Sequence, residues 1–232
     1  MVKPQLFLLH YAGGSCYSFG FIASLLNSFD VISLELPGRG KRIKEKLITD
    51  FELAAQDLGK QIKPVLSGDK FVIYGHSMGA YLALRVSILL EKEGFPASCV
   101  IVSGNEGPGY DDGEYSYMLD EDAFKTKLKS LGGTPSEIID NKEVFNFFEP
   151  VLRADFEIAE RNNLENEIPG NAAIYAMMGD QEKNVEKIDN WQKFTNSLFE
   201  YKIIKGNHFF IYEHPQYIAK LIKEFYVKVT LL

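Results

Sequence analysis

The chain has 232 residues, 46% of them hydrophobic and 25% charged, enough for one domain with a sizeable core and no need of disulfides or metals. A formal net charge of −7 and a pI near 5.2 argue against non-specific binding to nucleic acid or to anionic membranes. No apolar stretch approaches the ~18 residues of a membrane span, and Cys16 and Cys99 are too few for a disulfide framework or a cysteine metal site, so a reducing cytoplasm is expected.

In chain order, Gln5–Leu9 is a short apolar run that stops at Gly13-Gly14. It is too short for a signal-peptide core and reads as a buried strand. Val31–Leu36, ending at Pro37-Gly38, reads the same way, and both suit a parallel sheet covered on two faces. Thr49 and Glu52 have capping-box spacing ahead of Leu53, Ala54, Leu58 and Ile62, which predicts a helix. Phe71–Tyr74 is the next strand. Met78 to Lys92 repeats apolar residues at helical spacing until Gly94 and Pro96, and Cys99–Val102 is a strand again. This alternation predicts an open, mostly parallel sheet with helices on both faces.

After Ser103 the rhythm breaks, and the next strand, Ala172–Met177, begins about 70 residues on, far beyond what a crossover needs. The interval starts with a Gly- and Asp-rich loop and continues into predicted helices around Asp122–Leu131, Ser136–Phe148 and Val151–Arg161, with Gly132-Gly133 as a point of bending. Residues 104–171 are therefore expected to be an inserted helical lid on a single domain. Asp111-Asp112-Gly113-Glu114 lacks the ligand spacing of a calcium loop and reads as a mobile part of that lid. Phe145, Phe147 and Phe148 can either line a channel or pack the lid's own core. Strand Phe199–Ile204 and a helix entered at Pro215 close the chain.

Gly75-His76-Ser77-Met78-Gly79 fits G-x-S-x-G and lies between a predicted strand and an amphipathic helix. Such a turn lifts a serine hydroxyl above the sheet edge, and its glycines let strand and helix approach closely, which predicts an α/β-hydrolase with Ser77 as nucleophile. Of the four histidines, His76 is inside the elbow and expected to point away from the serine, and His214 stands beside Pro215 as a surface or capping residue. His208 follows the last strand and alone fits the order serine, acid, histidine. The oxyanion donors are expected to be the backbone N–H of Met78 and one from the loop Ala12-Gly13-Gly14. For the acid, three candidates stand: Glu182 and Asp180 after the strand that ends at Met178, and Glu106 after strand Cys99–Val102. Spacing from Gly179 to Val185 favours Glu182.

These landmarks resemble the type II thioesterases that accompany non-ribosomal peptide and polyketide synthases. The resemblance runs along nearly the whole chain, through Tyr11-Ala12-Gly13-Gly14-Ser15, Leu36-Pro37-Gly38-Arg39-Gly40-Lys41-Arg42, the elbow, Leu131-Gly132-Gly133-Thr134-Pro135, Leu152-Arg153-Ala154-Asp155-Phe156, Trp191 and Gly206-Asn207-His208-Phe209-Phe210. It implies hydrolysis of acyl thioesters on the phosphopantetheine arm of acyl or peptidyl carrier proteins, with no metal or cofactor of the enzyme's own. It also implies Ser77 and His208 as nucleophile and base, Ala12 and Met78 as oxyanion donors, and Glu182 as the acid, where the family usually has Asp. His10 stands where the family usually has proline, and Asn207 where it usually has glycine.

Gly38–Arg42 lacks the spacing of a phosphate loop. It reads as a turn with a solvated basic edge, or as a docking edge for an acidic carrier protein together with Lys44 and Lys46. A carboxylesterase acting on small free esters, and a non-catalytic binding module of the same fold, are the rival functions. A monomer is expected.

Overall fold

The computed structural model describes residues 3–110, 113 and 115–231. Six strands, β1 (Gln5–Leu9), β2 (Asp30–Ser33), β3 (Phe71–His76), β4 (Cys99–Ser103), β5 (Ala173–Gly179) and β6 (Phe199–Ile204), form one sheet in the order β2-β1-β3-β4-β5-β6. Every neighbouring pair is parallel. The helices are α1 (Gly20–Ala23), α2 (Phe51–Ile62), α3 (Met78–Lys92), α4 (Glu121–Leu131), α5 (Ser136–Asp140), α6 (Lys142–Glu160), α7 (Phe210–Glu213) and α8 (Pro215–Leu231). Among the described residues no helix is long and apolar enough to cross a membrane.

Alternation along the strands divides the core in two. On one face Phe7, Leu9, Ile73, Val100, Val102 and Ile174 pack against α2, α3 and the turns that carry Trp191. On the other, Leu6, Leu8, Val72, Ile101 and Tyr175 pack against Phe19, Ile22 and the α8 residues Ile218, Ile222 and Phe225. Burial on both faces explains why the central strands are apolar throughout. Between β4 and β5 the insertion builds a third cluster of its own from Phe124, Leu128, Ile139, Phe145, Leu152 and Phe156.

Several expectations are corrected. β2 stops at Ser33 instead of reaching Leu36, because its partner β1 ends at Leu9, and the Leu36 N–H turns to the His10 ring at 3.3 Å. α2 is capped by Asp50, whose carboxylate accepts the Leu53 N–H at 2.8 Å. The box of Thr49 and Glu52 does not form, since Arg85 draws Glu52 away with a 2.7 Å bond, and a charged cap also suits the helix dipole. The two helices expected around Ser136–Phe148 and Val151–Arg161 are instead α5 and one continuous α6 that runs through Pro150. The break falls at Asn141, whose side chain caps Glu143 and Val144. Pro150 costs one backbone bond, but Phe145, Leu152 and Phe156 on either side of it share one buried face, and that face holds the helix together. Gly132 ends α4 in the left-handed region at φ 81°. Gly133 is a close approach as much as a bend, since a Cβ there would lie 1.9 Å from the Phe209 ring. Asp111, Asp112 and Glu114 of the expected mobile loop lie outside the described residues.

Candidate active site

β3 runs directly into α3 through Ser77, whose φ of 56° and ψ of −119° no ordinary L-residue prefers. Such strain costs about 1–3 kcal/mol and persists only where neighbours over-determine it. Here Ser77 N–H donates to the Ser103 carbonyl at 2.7 Å, and the Asn105 side chain donates to the Ser77 carbonyl at 2.9 Å. The elbow glycines follow from contact distances. A Cβ on Gly75 would sit 1.8 Å from the Gly79 carbonyl oxygen, and one on Gly79 would sit 2.2 Å from that of Leu9. Strand and helix therefore touch backbone to backbone, and the serine hydroxyl is presented at the carboxyl edge of the sheet.

His208, in the loop after β6, comes back to that edge. Its Nε2 lies 3.0 Å from Ser77 Oγ and its Nδ1 lies 2.7 Å from Glu182 Oε2. The other Glu182 oxygen accepts the Gly179 N–H at 2.7 Å, so the carboxylate is held at both ends and its side chain is only 6% exposed. Since the carboxylate only accepts, Nδ1 carries a proton and Nε2 is free to take one from the hydroxyl.

The other two acids do not reach the imidazole. Asp180 is exposed, and its carboxylate accepts the Gly206 N–H at 2.9 Å. Glu106 accepts from the Asn184 side chain at 2.8 Å. His76 does point away from Ser77. It is fully buried, bonds Ser103 Oγ at 2.9 Å through Nδ1, and packs its ring 5.0 Å from that of His208. Burial, reinforced by His208, holds it well below the ordinary histidine range. His214 Nε2–H donates to the Lys205 carbonyl at 2.8 Å.

Ser77 and His208 open into a cavity of about 680 Å³ that also reaches Ala12, Met78, Tyr81 and Phe156. Phe145, Phe147 and Phe148 do not line it: Phe145 is buried in the insertion's core with Phe148 against it, and Phe147 is 64% exposed. The apolar wall comes instead from Leu128, Leu131 and Phe156, one side of α4 meeting one side of α6. Of the basic turn after β2, Arg39 is buried and bonded to Asp155, and Arg42 is engaged by Glu45 and Asp57. The solvated basic edge is thus reduced to Lys41, Lys44 and Lys46, all exposed. The sequence reading passed over Asn105, which straps the elbow and also accepts the Trp191 indole N–H at 3.0 Å through its carbonyl. Its signal was a lone amide just past a predicted strand, which by itself says nothing.

A parallel sheet with a strained serine after the third strand, and an acid and a histidine after the last two, is the architecture of an α/β-hydrolase. The thioesterase domain family model matches residues 4–226. A relative from Brevibacillus parabrevis, "Linear gramicidin dehydrogenase LgrE", is 30% identical over 226 residues, covering 94% of this chain and 86% of that protein. That name is the relative's; in this chain the loop after β1 reads Tyr11-Ala12-Gly13-Gly14-Ser15, without the glycine spacing of a dinucleotide turn. The solved structure of the RedJ thioesterase from the prodiginine pathway of Streptomyces coelicolor is 28% identical, superposes with a TM-score of 0.87, and covers 97% of this chain and 90% of its own. The type II thioesterase BorB from the borrelidin biosynthetic cluster is 26% identical with a TM-score of 0.86, covering 97% of this chain and 93% of its own. The chain belongs to the thioesterase domain family, and it is a hydrolase of the type II thioesterase kind.

Proposed function

We propose that Ser77, His208 and Glu182 carry out the hydrolysis of acyl thioesters held on the phosphopantetheine arm of acyl or peptidyl carrier proteins, and that the enzyme so clears stalled or misprimed chains from a peptide or polyketide synthase. The observation that carries this reading is the unbroken relay of 3.0 and 2.7 Å bonds from Ser77 Oγ through His208 to Glu182, opening onto a cavity with apolar walls. The relatives' pathways support the choice of substrate.

In the first step Ser77 Oγ bonds to the thioester carbonyl carbon while His208 Nε2 takes the hydroxyl proton. The tetrahedral oxyanion is received by the N–H groups of Ala12 and Met78. The C–S bond then breaks, and the thiolate leaves with the proton from His208. Water enters, gives a proton to His208 and bonds to the acyl carbon; the Ser77–acyl bond breaks and Oγ recovers the proton. Glu182 keeps the imidazole in the correct tautomer and stabilises its cationic form. His208 performs every proton transfer, so the cycle calls for no metal or cofactor.

Residues 104–171 act as the lid over the acyl group, with α4 and α6 as its walls. The site is complete within one chain and both cysteines are free, in keeping with a monomer in a reducing cytoplasm. Exposed Lys41, Lys44 and Lys46 supply an edge on which an acidic carrier protein docks. The test is a comparison of acyl-loaded carrier protein with p-nitrophenyl esters of the same acyl group. Higher kcat/KM on the carrier is expected; equal or better turnover of the free ester makes the protein a carboxylesterase instead.

A further inference from the structure

Three residues that the reaction scheme leaves without a task converge behind Ala12: His10 at the end of β1, Arg39 in the turn after β2, and Asp155 on α6. We propose that His10, backed by Arg39 and Asp155, is a positioning residue that aims the Ala12 N–H at the reacting carbonyl, an inference that rests on the reading of Ala12 as an oxyanion donor.

A trans peptide is planar, so the carbonyl of Tyr11 and the N–H of Ala12 point in opposite directions, and fixing one aims the other. The Tyr11 carbonyl oxygen accepts two bonds at 2.9 Å, from the Gly14 N–H and from His10 Nδ1. The partners dictate the tautomer. Nδ1 faces a carbonyl, which only accepts, and so carries the proton; Nε2 faces the Leu36 N–H at 3.3 Å, which only donates, and so is bare. With both nitrogens satisfied and 3% exposure, the ring has one orientation.

The following peptide is tied as well. Gly13 N–H donates to Asp155 Oδ2 at 2.7 Å. Asp155 is held in turn by Arg39, Nη2 to Oδ1 at 2.7 Å and Nη1 to Oδ2. Gly13 itself is in the left-handed region at φ 75°, with no room for a side chain because Leu152 of α6 would lie 2.5 Å from its Cβ. Ala12 is thus flanked by two anchored peptides, one held by the His10 ring and one by the buried ion pair. Burial, with help from the Arg39 charge, keeps His10 neutral down to about pH 4, so the bare Nε2 and protonated Nδ1 persist at working pH.

Three substitutions separate a donor at the δ position from mere bulk. His10→Asn places an amide N–H where Nδ1 stands; His10→Gln moves it one methylene further; His10→Phe keeps a flat ring and removes both bonds. Turnover should fall about 10–100-fold in His10→Phe and His10→Gln, with KM within about threefold of wild type, and His10→Asn should retain activity to within about threefold. A trifluoromethyl ketone analogue of the acyl group, which forms a hemiketal with Ser77 and leaves an oxyanion in the hole, should lose affinity by the same factor as kcat/KM. A non-hydrolysable thioether should bind each variant as it binds wild type. Wild-type turnover in His10→Phe beside an inactive Ser77→Ala overturns the positioning role and leaves the catalytic reading intact. Equal losses for ketone and thioether, or His10→Asn as impaired as His10→Phe, also overturn it. Full hydrolysis by Ser77→Ala overturns the catalytic reading and this inference with it.

Discussion

Arg39 and Asp155, from two segments far apart in the chain, meet through two guanidinium nitrogens and both carboxylate oxygens, with side-chain exposures of 7% and 0%. The pair joins α6 of the insertion to the turns after β1 and β2. A buried ion pair gains little over a well-packed apolar one, but removing a single partner strands a charge. Arg39→Met should therefore lower unfolding free energy by about 3–5 kcal/mol, measured by urea titration. Pairing it with Asp155→Leu should restore most of that stability. A single variant as stable as wild type would show that water reaches the pair.

Ser77 adopts a backbone that glycine accepts without strain. Ser77→Gly should thus abolish turnover, by a factor on the order of 10⁴–10⁶, while raising stability by about 1 kcal/mol after the entropy of an added glycine is counted. Urea unfolding beside a thioester assay checks both halves. A destabilised variant would contradict the strain argument.

Among the described carboxylates, only Glu182 bonds to His208, so Glu182→Gln should lower kcat by as much as about 10⁴-fold through the wrong imidazole tautomer. Asp180→Asn should leave kcat within about threefold, at a cost of about 1 kcal/mol in stability from the weakened bond to Gly206. Steady-state kinetics on the two variants, with Glu106→Gln as a third, would reverse the assignment if Asp180→Asn proved the inert one.

Acid should unfold the protein partly through His10. Burial first, then the Arg39 charge, lower its pKa from 6.5 to about 4, against opposing effects of Asp155, the Tyr11 carbonyl and Glu35. Between those values the unfolded chain binds the proton and the folded one does not, so stability rises with pH across the window and is lost as pH falls from about 6.5 toward 4. The shift is worth about 3 kcal/mol at the acid end. His76, held low for the same reason, adds a loss of the same sign. His10→Asn should lose about 3 kcal/mol less than wild type between pH 7 and pH 4, by urea unfolding at each pH. Equal losses in the two proteins would remove His10 from the acid response.

Much of the fold was legible because its signals are local. Apolar runs such as Leu6–Leu9 and Val100–Val102 mark strands covered on both faces, and the spacing of Leu82, Val86 and Leu90 marks α3. Boundaries were less legible where a distant partner decides them. β2 ends where β1 gives out, and Glu52 leaves its capping position because Arg85 competes for it. Pro150, a local signal for a break, is overruled by packing on both sides of it.

Local signals were enough for the sharp turn at Ser77, the alternation of strands and helices and the place of His208 after the last strand, because steric rules and hydrophobic periodicity act over a few residues. Packing across the whole fold settles which carboxylate faces the imidazole, which aromatics wall the cavity, and that His10, Arg39 and Asp155 share one buried site. Those choices depend on side chains brought together from separate segments, 26 residues apart for Glu182 and His208 and 116 apart for Arg39 and Asp155, where a single sequence carries no record of what meets what.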